Sequence, residues 1–338
     1  MAAYLSASSY LGFVAEVTPG TTPGTGTVFY LPVSTPQVTP NQTFLRDEAF
    51  RGSPVMLYDM VQGNRHDEYD HKSYCYADTF PVFVKGLLGG TDTVTATTAS
   101  YSHAIPLLNT PATGSQPPTY SICDFDGANW FTLPGAQASD LTLTFGAEVA
   151  AEAQMKWITN SYVSATSAPA PFTTLSESAE HLIPGWDTSI TISGGSPLTY
   201  ISSGELKIDR KTTPIFTMGN QTSFSNFAGP IDVTGKFTAV VNSNADIWST
   251  PSSTGFALVN AVKALVIKLT DPNDLHTAIN DSISFTMTAA QFYNPKRTRT
   301  KTYTEIEVEF SGTADTTDAT TGYSPIKATI VNGIATPF

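Results

Sequence analysis

The stretch that most constrains this chain is Tyr303–Phe310, where Ile306, Val308 and Phe310 interleave with Glu305, Glu307 and Glu309. Successive side chains of an extended strand point to opposite faces, so the segment reads as a strand with one apolar and one strongly acidic face. Like charges on alternating positions repel modestly and require water or basic partners. The same period sets Leu141, Leu143 and Phe145 against Thr142 and Thr144. It continues through Val149, Ala151, Ala153, Met155 and Trp157 against Glu148, Glu152, Gln154 and Lys156. The Ala-Glu-rich composition there also suits a helix, but the phase never breaks, which favours a long strand. Further strands are expected at Ile190–Ile192, Glu205–Asp209, Val233–Val241, Leu265–Leu269 and Ile283–Thr288, with Ile326–Val331 available to close the sheet.

The segments between these strands are of another kind. Residues 18–41 contain five prolines separated by Gly20, Gly24 and Gly26, which reads as an extended arm or a set of turns. Residues 44–72 carry a dense charge mixture including Arg46, Asp47, Glu48, Arg51, Arg65, Asp67, Glu68, Asp70 and Lys72. Phe80–Leu88 is apolar enough for a short helix or a buried segment, stopped by Gly89 and Gly90. Ser/Thr/Pro/Gly-rich stretches at 109–121, 164–174 and 243–254 read as surface loops. The 338 residues are enough for one large β domain or two ordinary ones.

Only 14% of residues are charged, against roughly 25% in an average soluble protein. Polar surface must therefore come largely from Thr, Ser, Asn and Gln, as suits long solvated sheets and packed subunit faces. The formal charge of −12 disfavours ordinary duplex binding, which depends on neutralising phosphates. It would, however, keep DNA from sticking to the wall of a conduit. Cys75 and Cys123 are too few for a disulfide scaffold; free buried thiols are favoured over a pair. The start shows no basic region followed by an apolar run, and no segment has the 18 or more apolar residues of a membrane helix. A soluble intracellular origin is the expectation.

The best catalytic and metal candidates fall short. His66, Asp67, Asp70 and His71 are the densest ligand-type group; in a helix, i,i+4 spacing would pair them. Their charged surroundings favour a solvated hinge or an inter-subunit salt-bridge cluster. Asp124 and Asp126 before Gly127 lack the remaining ligands of a calcium loop, so an ordinary turn is expected. No phosphate loop or nucleophile elbow occurs. Trp130, Trp157, Trp186 and Trp248 fit core or interface anchors better than a sugar platform. No catalytic, metal or cofactor residue is assigned. The one basic concentration is Lys296, Arg297, Arg299 and Lys301, in which Arg297, Arg299 and Lys301 would share a face of an extended strand. It suits an acidic neighbouring surface, for which Glu305, Glu307 and Glu309 are candidates, better than nucleic acid.

In order and combination these elements resemble the tail tube proteins, or major tail proteins, of long-tailed phages. Three stretches carry the resemblance. Residues 45–88 read LRDEAFRGSPVMLYDMVQGNRHDEYDHKSYCYADTFPVFVKGLL, a charged arm leading to a DTFP turn and an apolar pre-glycine segment. Residues 101–157 run from YSHAIPLLN through TYSICDFDG to GAQASDLTLTFGAEVAAEAQMKW. Residues 204–241 and 280–314 include GELKIDR, GPIDVTGKFTAVV, NDSISFTM and YTEIEVEFSGTA. Together they touch about two thirds of the chain, and none is a catalytic fingerprint.

The resemblance implies a mainly β protein, a β-sandwich or partly closed barrel of the tail-tube type with a flanking helix and long loops or arms. Residues 1–100 would be an N-terminal arm and charged segment joining a β domain over 101–338, with loop insertions near 164–200 and 243–254. It further implies a non-enzymatic structural subunit that assembles into rings, commonly hexamers, stacked into a tube in the virion tail and built in the host cytoplasm. The expected partners are other copies of the chain, tape-measure and tail terminator or tip proteins, and double-stranded DNA as non-specific cargo, with no membrane. Lys296, Arg297, Arg299, Lys301, Arg46 and Arg51 are the candidate inter-subunit or inter-ring contacts. Glu305, Glu307 and Glu309 are candidate lumen-facing or interface acids. The competing readings are a virion decoration or a carbohydrate-binding β module, and, more remotely, a hydrolase of sandwich architecture.

Overall fold

The computed structural model describes residues 9–97, 100–110, 114–173, 181–241, 251–252, 255–256, 262–273 and 279–338. The first elements are β1 (Tyr10–Ala15), β2 (Phe29–Leu31), β3 (Gln37–Asp47), β4 (Asp59–Tyr74) and α1 (Phe80–Leu88). Then come β5 (Thr93–Ala96), β6 (Tyr101–Ile105), β7 (Tyr120–Phe125), β8 (Trp130–Gly146), β9 (Val149–Thr159) and β10 (Val163–Ala165). The middle of the chain forms β11 (Thr188–Ile192), β12 (Ile201–Asp209), β13 (Thr213–Ile215), β14 (Ser225–Phe227) and β15 (Asp232–Val240). The last are β16 (Pro251–Ser252), β17 (Gly255–Phe256), β18 (Val262–Thr270), β19 (Ser282–Arg299), β20 (Thr304–Gly312) and β21 (Lys327–Asn332).

One sheet dominates. From the β3 edge its order is β3, β4, β9, β8, β12, β15, β20, β19, β18 and β11, every pair antiparallel. β21 pairs with Ser282–Thr286 of β19 and carries β6 and then β5. β8 turns at Pro134–Gly135, where Gly135 has φ 67°. Its first part joins β10 and β7, and β7 in turn carries β1 and β2. Among the described residues no pairing returns to close a barrel. The described residues are thus mainly β with one α-helix and an extensive sheet, consistent with a sandwich-like fold.

The apolar positions of the alternating strands meet in one core. Leu141, Leu143, Met155, Leu206, Phe237, Phe285 and Phe310 are all buried in it. α1 is part of that core, since Lys85 alone of its nine residues is not buried. A helix apolar on nearly all sides belongs inside a protein. Lys85 reaches out to the Gly90 carbonyl at 2.6 Å, and Gly89 ends the helix with φ 73°. Phe80 stacks edge-on to Phe285 at 6.0 Å, and Gly86 lies so close to Trp157 that a Cβ there would sit 2.9 Å from the indole.

Three expectations are corrected. The alternation from Leu141 to Trp157 is two strands, β8 and β9, joined at Ala147–Glu148. Leu143 pairs with Ala153 and Leu141 with Met155, so odd-numbered residues face odd-numbered ones and the turn leaves the phase intact. Residues 18–41 are not simply an arm: turns at 17–20 and 24–25 are followed by β2 and the start of β3. Pro40 fits within β3 because β3 is an edge strand. The charged segment around His66 is no hinge but part of β4, which pairs with β3 over Asp59–Asp70 and with β9 over Asp67–Tyr74. Asp67, Tyr69, His71 and Ser73 fill its inward face, so its burial does not show as an apolar alternation. Most of the expected loop at 243–254, and parts of those at 109–121 and 164–174, lie outside the described residues.

Candidate functional site

The outward face of the main sheet is a charged surface built by strand register. Tyr74, Glu152, Thr144, Glu205, Lys236 and Glu309 are successive cross-strand neighbours in one row. Across this face, Glu68, Asp70, Asp140, Glu152, Glu205, Asp209, Asp232, Glu305, Glu307 and Glu309 stand with Lys72, Lys156, Lys207, Lys236 and Lys296. Lys268 of β18 and Lys327 of β21 lie on the same face, so acids outnumber lysines ten to seven. The ion pairs Lys156–Glu68 at 2.6 Å and Lys72–Glu152 at 3.1 Å neutralise part of it. The carboxyl of Asp140 is raised by desolvation and by Asp209 and Asp70, against the pull of Lys207 and Lys156. Burial is the leading cause of that rise, to which the neighbouring acids add.

The predicted basic and acidic groups are brought together in the β19–β20 hairpin. Lys296 pairs across from Glu307 and Thr298 from Glu305, so Lys296 shares the acidic face. Arg297 pairs with Ile306 and Arg299 with Thr304, on the opposite face and exposed beyond the end of the core. The register shift between Tyr293 and Lys296, with Asn294 at φ 49°, sets this arrangement. Lys301 does not continue the Arg297–Arg299 face; it lies in the turn closed by Thr300 and Tyr303. Asn294 Nδ2 donates to Glu309 at 2.9 Å, and Lys236 Nζ lies 3.9 Å from Glu307.

Arg46 and Arg51 sit on a projecting arm. β4 pairs with β9 only over Asp67–Tyr74, while its pairing with β3 continues out to Asp59–Asp47. The outer ribbon is therefore supported mainly by itself, with the 216–222 segment at its root: Arg65 N–H donates to the Gln221 carbonyl at 2.7 Å. Arg46 pairs with Glu48 at 3.1 Å; Arg51 pairs with Asp47 and lies 4.9 Å over the Tyr58 ring. The feature that sequence reasoning missed is apolar. Phe50 is 104% exposed and Met56 73%, with Phe44, Leu45, Met60 and Val61 also exposed. Interspersed charges concealed them, though a run of large apolar residues with neither strand nor helix period was a usable signal. Such a patch marks an interaction surface.

The other candidates resolve into structure. Asp67 is buried and accepts from Arg65 Nε at 3.2 Å and from the Tyr162 backbone N–H at 2.7 Å. His71 is enclosed by Phe13, Tyr69 and Phe83, and burial lowers its pKa to about 3. Among the described residues no three His, Cys, Asp or Glu side chains are placed to hold a metal. Asp126 caps the β7–β8 turn by accepting the backbone N–H groups of Ala128 and Asn129. Cys75 and Cys123 are free and buried. Trp157 is buried, Trp130 packs on Phe125 at 4.6 Å, Trp186 is exposed, and Trp248 lies outside the described residues.

A family model described as phage tail tube protein matches residues 6–321. No curated protein matches the chain.

Proposed function

The chain belongs to the phage tail tube protein family, and from that premise we propose that it is the repeating subunit of a tail tube, self-assembling into stacked rings that form a conduit for DNA. The observation that carries this reading is the outward face of the main sheet, on which acids outnumber lysines. Turned inward around a lumen, such a face repels the phosphate backbone and lets duplex pass without binding. Glu305, Glu307 and Glu309 belong to it. Lys296 tempers the charge beside Glu307, while Arg297, Arg299 and Lys301 at the end of the hairpin are free to meet a neighbour.

Ring symmetry satisfies lateral faces and head-to-tail contacts propagate the stack. The arm bearing Arg46, Arg51 and the exposed Phe50 is suited to the second kind of contact. A ring of six, a tape-measure protein in the lumen during assembly, terminator and tip proteins at the ends, and a place in the virion tail after assembly in the host cytoplasm complete the proposal. The β domain would extend over 101–338, joined by the segment 1–100 through β1, β4, α1 and β5.

Electron microscopy of the concentrated, purified chain tests it. Rings or hollow tubes are the expected result; a species that stays monomeric at every concentration overturns it. A glycan-binding module, the competing reading, would instead show a glycan signal abolished by replacing Trp130 or Trp186.

A further inference from the structure

Arg210, directly after β12, is a buried cation with no counter-ion among the described residues. It is 4% exposed; Nη2 donates to the Ser115 carbonyl at 3.3 Å, and the buried Nε has no acceptor. Burial alone accounts for the lowering of its pKa to about 10, with no carboxylate acting on it. The side chain lines a cavity of about 550 Å³ whose other walls include Leu107, Phe227, Ile231, Tyr323 and Pro325. A mostly apolar pocket with one guanidinium that no carboxylate neutralises is shaped for a carboxylate carried beside an apolar side chain. Guanidinium and carboxylate form strong, paired hydrogen bonds, and burial strengthens them.

We propose that this cavity receives the arm tip of a second copy of the chain, with Glu48 on Arg210 and Phe50 against the apolar wall. The inference rests on the self-assembly proposed above. Three observations select this occupant. The part of β4 beyond its pairing with β9, residues 59–66, reaches out about 26 Å at roughly 3.3 Å per residue, which gives the tip the length to enter a neighbour. Phe50 at its end is wholly exposed and two residues from Glu48. Glu48 is held by the 3.1 Å pair with Arg46, both side chains being about half exposed, and such exposed pairs exchange at little cost.

The test is a cross-link on the full chain. Glu48→Cys protein is mixed with Ser115→Cys protein, assembled and oxidised; Cys75 and Cys123 are buried and stay out of the reaction. A disulfide-linked dimer that forms only in the mixture is expected. Glu48→Lys, a surface change that leaves folding intact, and Arg210→Gln, with its melting temperature checked, should each raise the concentration needed for assembly at least tenfold. Combining them should add little further, as for two ends of one contact. Tubes that form normally with Glu48→Lys and give no cross-link overturn this contact while leaving the tail-tube reading in place. A chain that never assembles overturns both. Inorganic phosphate that raises the melting temperature through Arg210, with assembly indifferent to Glu48, would make this a free-anion site and also overturn the docking.

Discussion

His103 and Asp92 form a fully buried pair, with Nδ1 of the imidazole 2.8 Å from Oδ2 of the carboxylate. On its other edge Nε2 lies 2.8 Å from the Ile334 carbonyl, and the same Asp92 oxygen accepts the Phe338 backbone N–H at 3.1 Å. Both neighbours of the ring are acceptors, so satisfying both requires the doubly protonated imidazolium. Desolvation pulls its pKa down, but the hydrogen bond and charge of Asp92 and the Ile334 carbonyl outweigh it, leaving the pKa raised. The pair thus fastens residues 334–338 to the β5–β6 hairpin.

The stabilisation from His103 is complete below the unfolded-state pKa of about 6.5, and is lost as pH rises through the raised folded value. We expect the melting temperature to fall, and the amides of 334–338 to exchange faster, across that rise. His103→Ala should cost about 3–5 kcal/mol by stranding Asp92 and should abolish this pH dependence. Thermal melts of both proteins over a pH series check it.

Gly235→Ala should destabilise the sheet by about 1–3 kcal/mol. A Cβ at Gly235 would stand 2.3 Å from the Phe310 ring and 2.4 Å from the Glu205 carbonyl oxygen, and the latter is backbone that cannot swing aside. Chemical denaturation should show a lower midpoint with an unchanged slope.

Reversing Arg297 and Arg299 to Glu should leave the circular dichroism spectrum unchanged and raise the assembly concentration about tenfold, the size of a modest interface contribution. Both residues are exposed on the side of the hairpin away from its glutamates. Unchanged assembly would remove them from any interface, and lost secondary structure would assign them to the fold. Sizing of the two proteins side by side decides it.

Replacing Glu305, Glu307 and Glu309 by Lys should convert a non-binding surface into one that retains duplex DNA. Binding should weaken with salt by a slope of about −0.9 per phosphate neutralised. Filter binding over a salt series measures it, with the unaltered protein expected to retain none.

Where apolar residues alternate visibly, the strands were legible: β12, β15, β18 and β20 fall where Leu206, Phe237, Ile267 and Val308 mark an inward face. α1 was legible from its apolar run and Gly89. β4 was not, because Asp67 and His71 occupy inward positions that sequence reasoning gives to solvent. The β8–β9 turn was hidden because a connection that preserves parity leaves no break in the pattern. Of the candidate surfaces, the basic and acidic groups were readable as residues but not as opposite strands of one hairpin. Arg210 was invisible, since nothing in Asp209-Arg210-Lys211 distinguishes a buried arginine from an exposed one.

The most direct measurement is a ring-resolved cryo-electron microscopy map of the assembled chain. We expect a hollow tube in which the face carrying Glu205, Glu305 and Glu309 lines the lumen and the arm tip crosses to another copy. A map with that face on the outer wall, or a filament without a lumen, would contradict it.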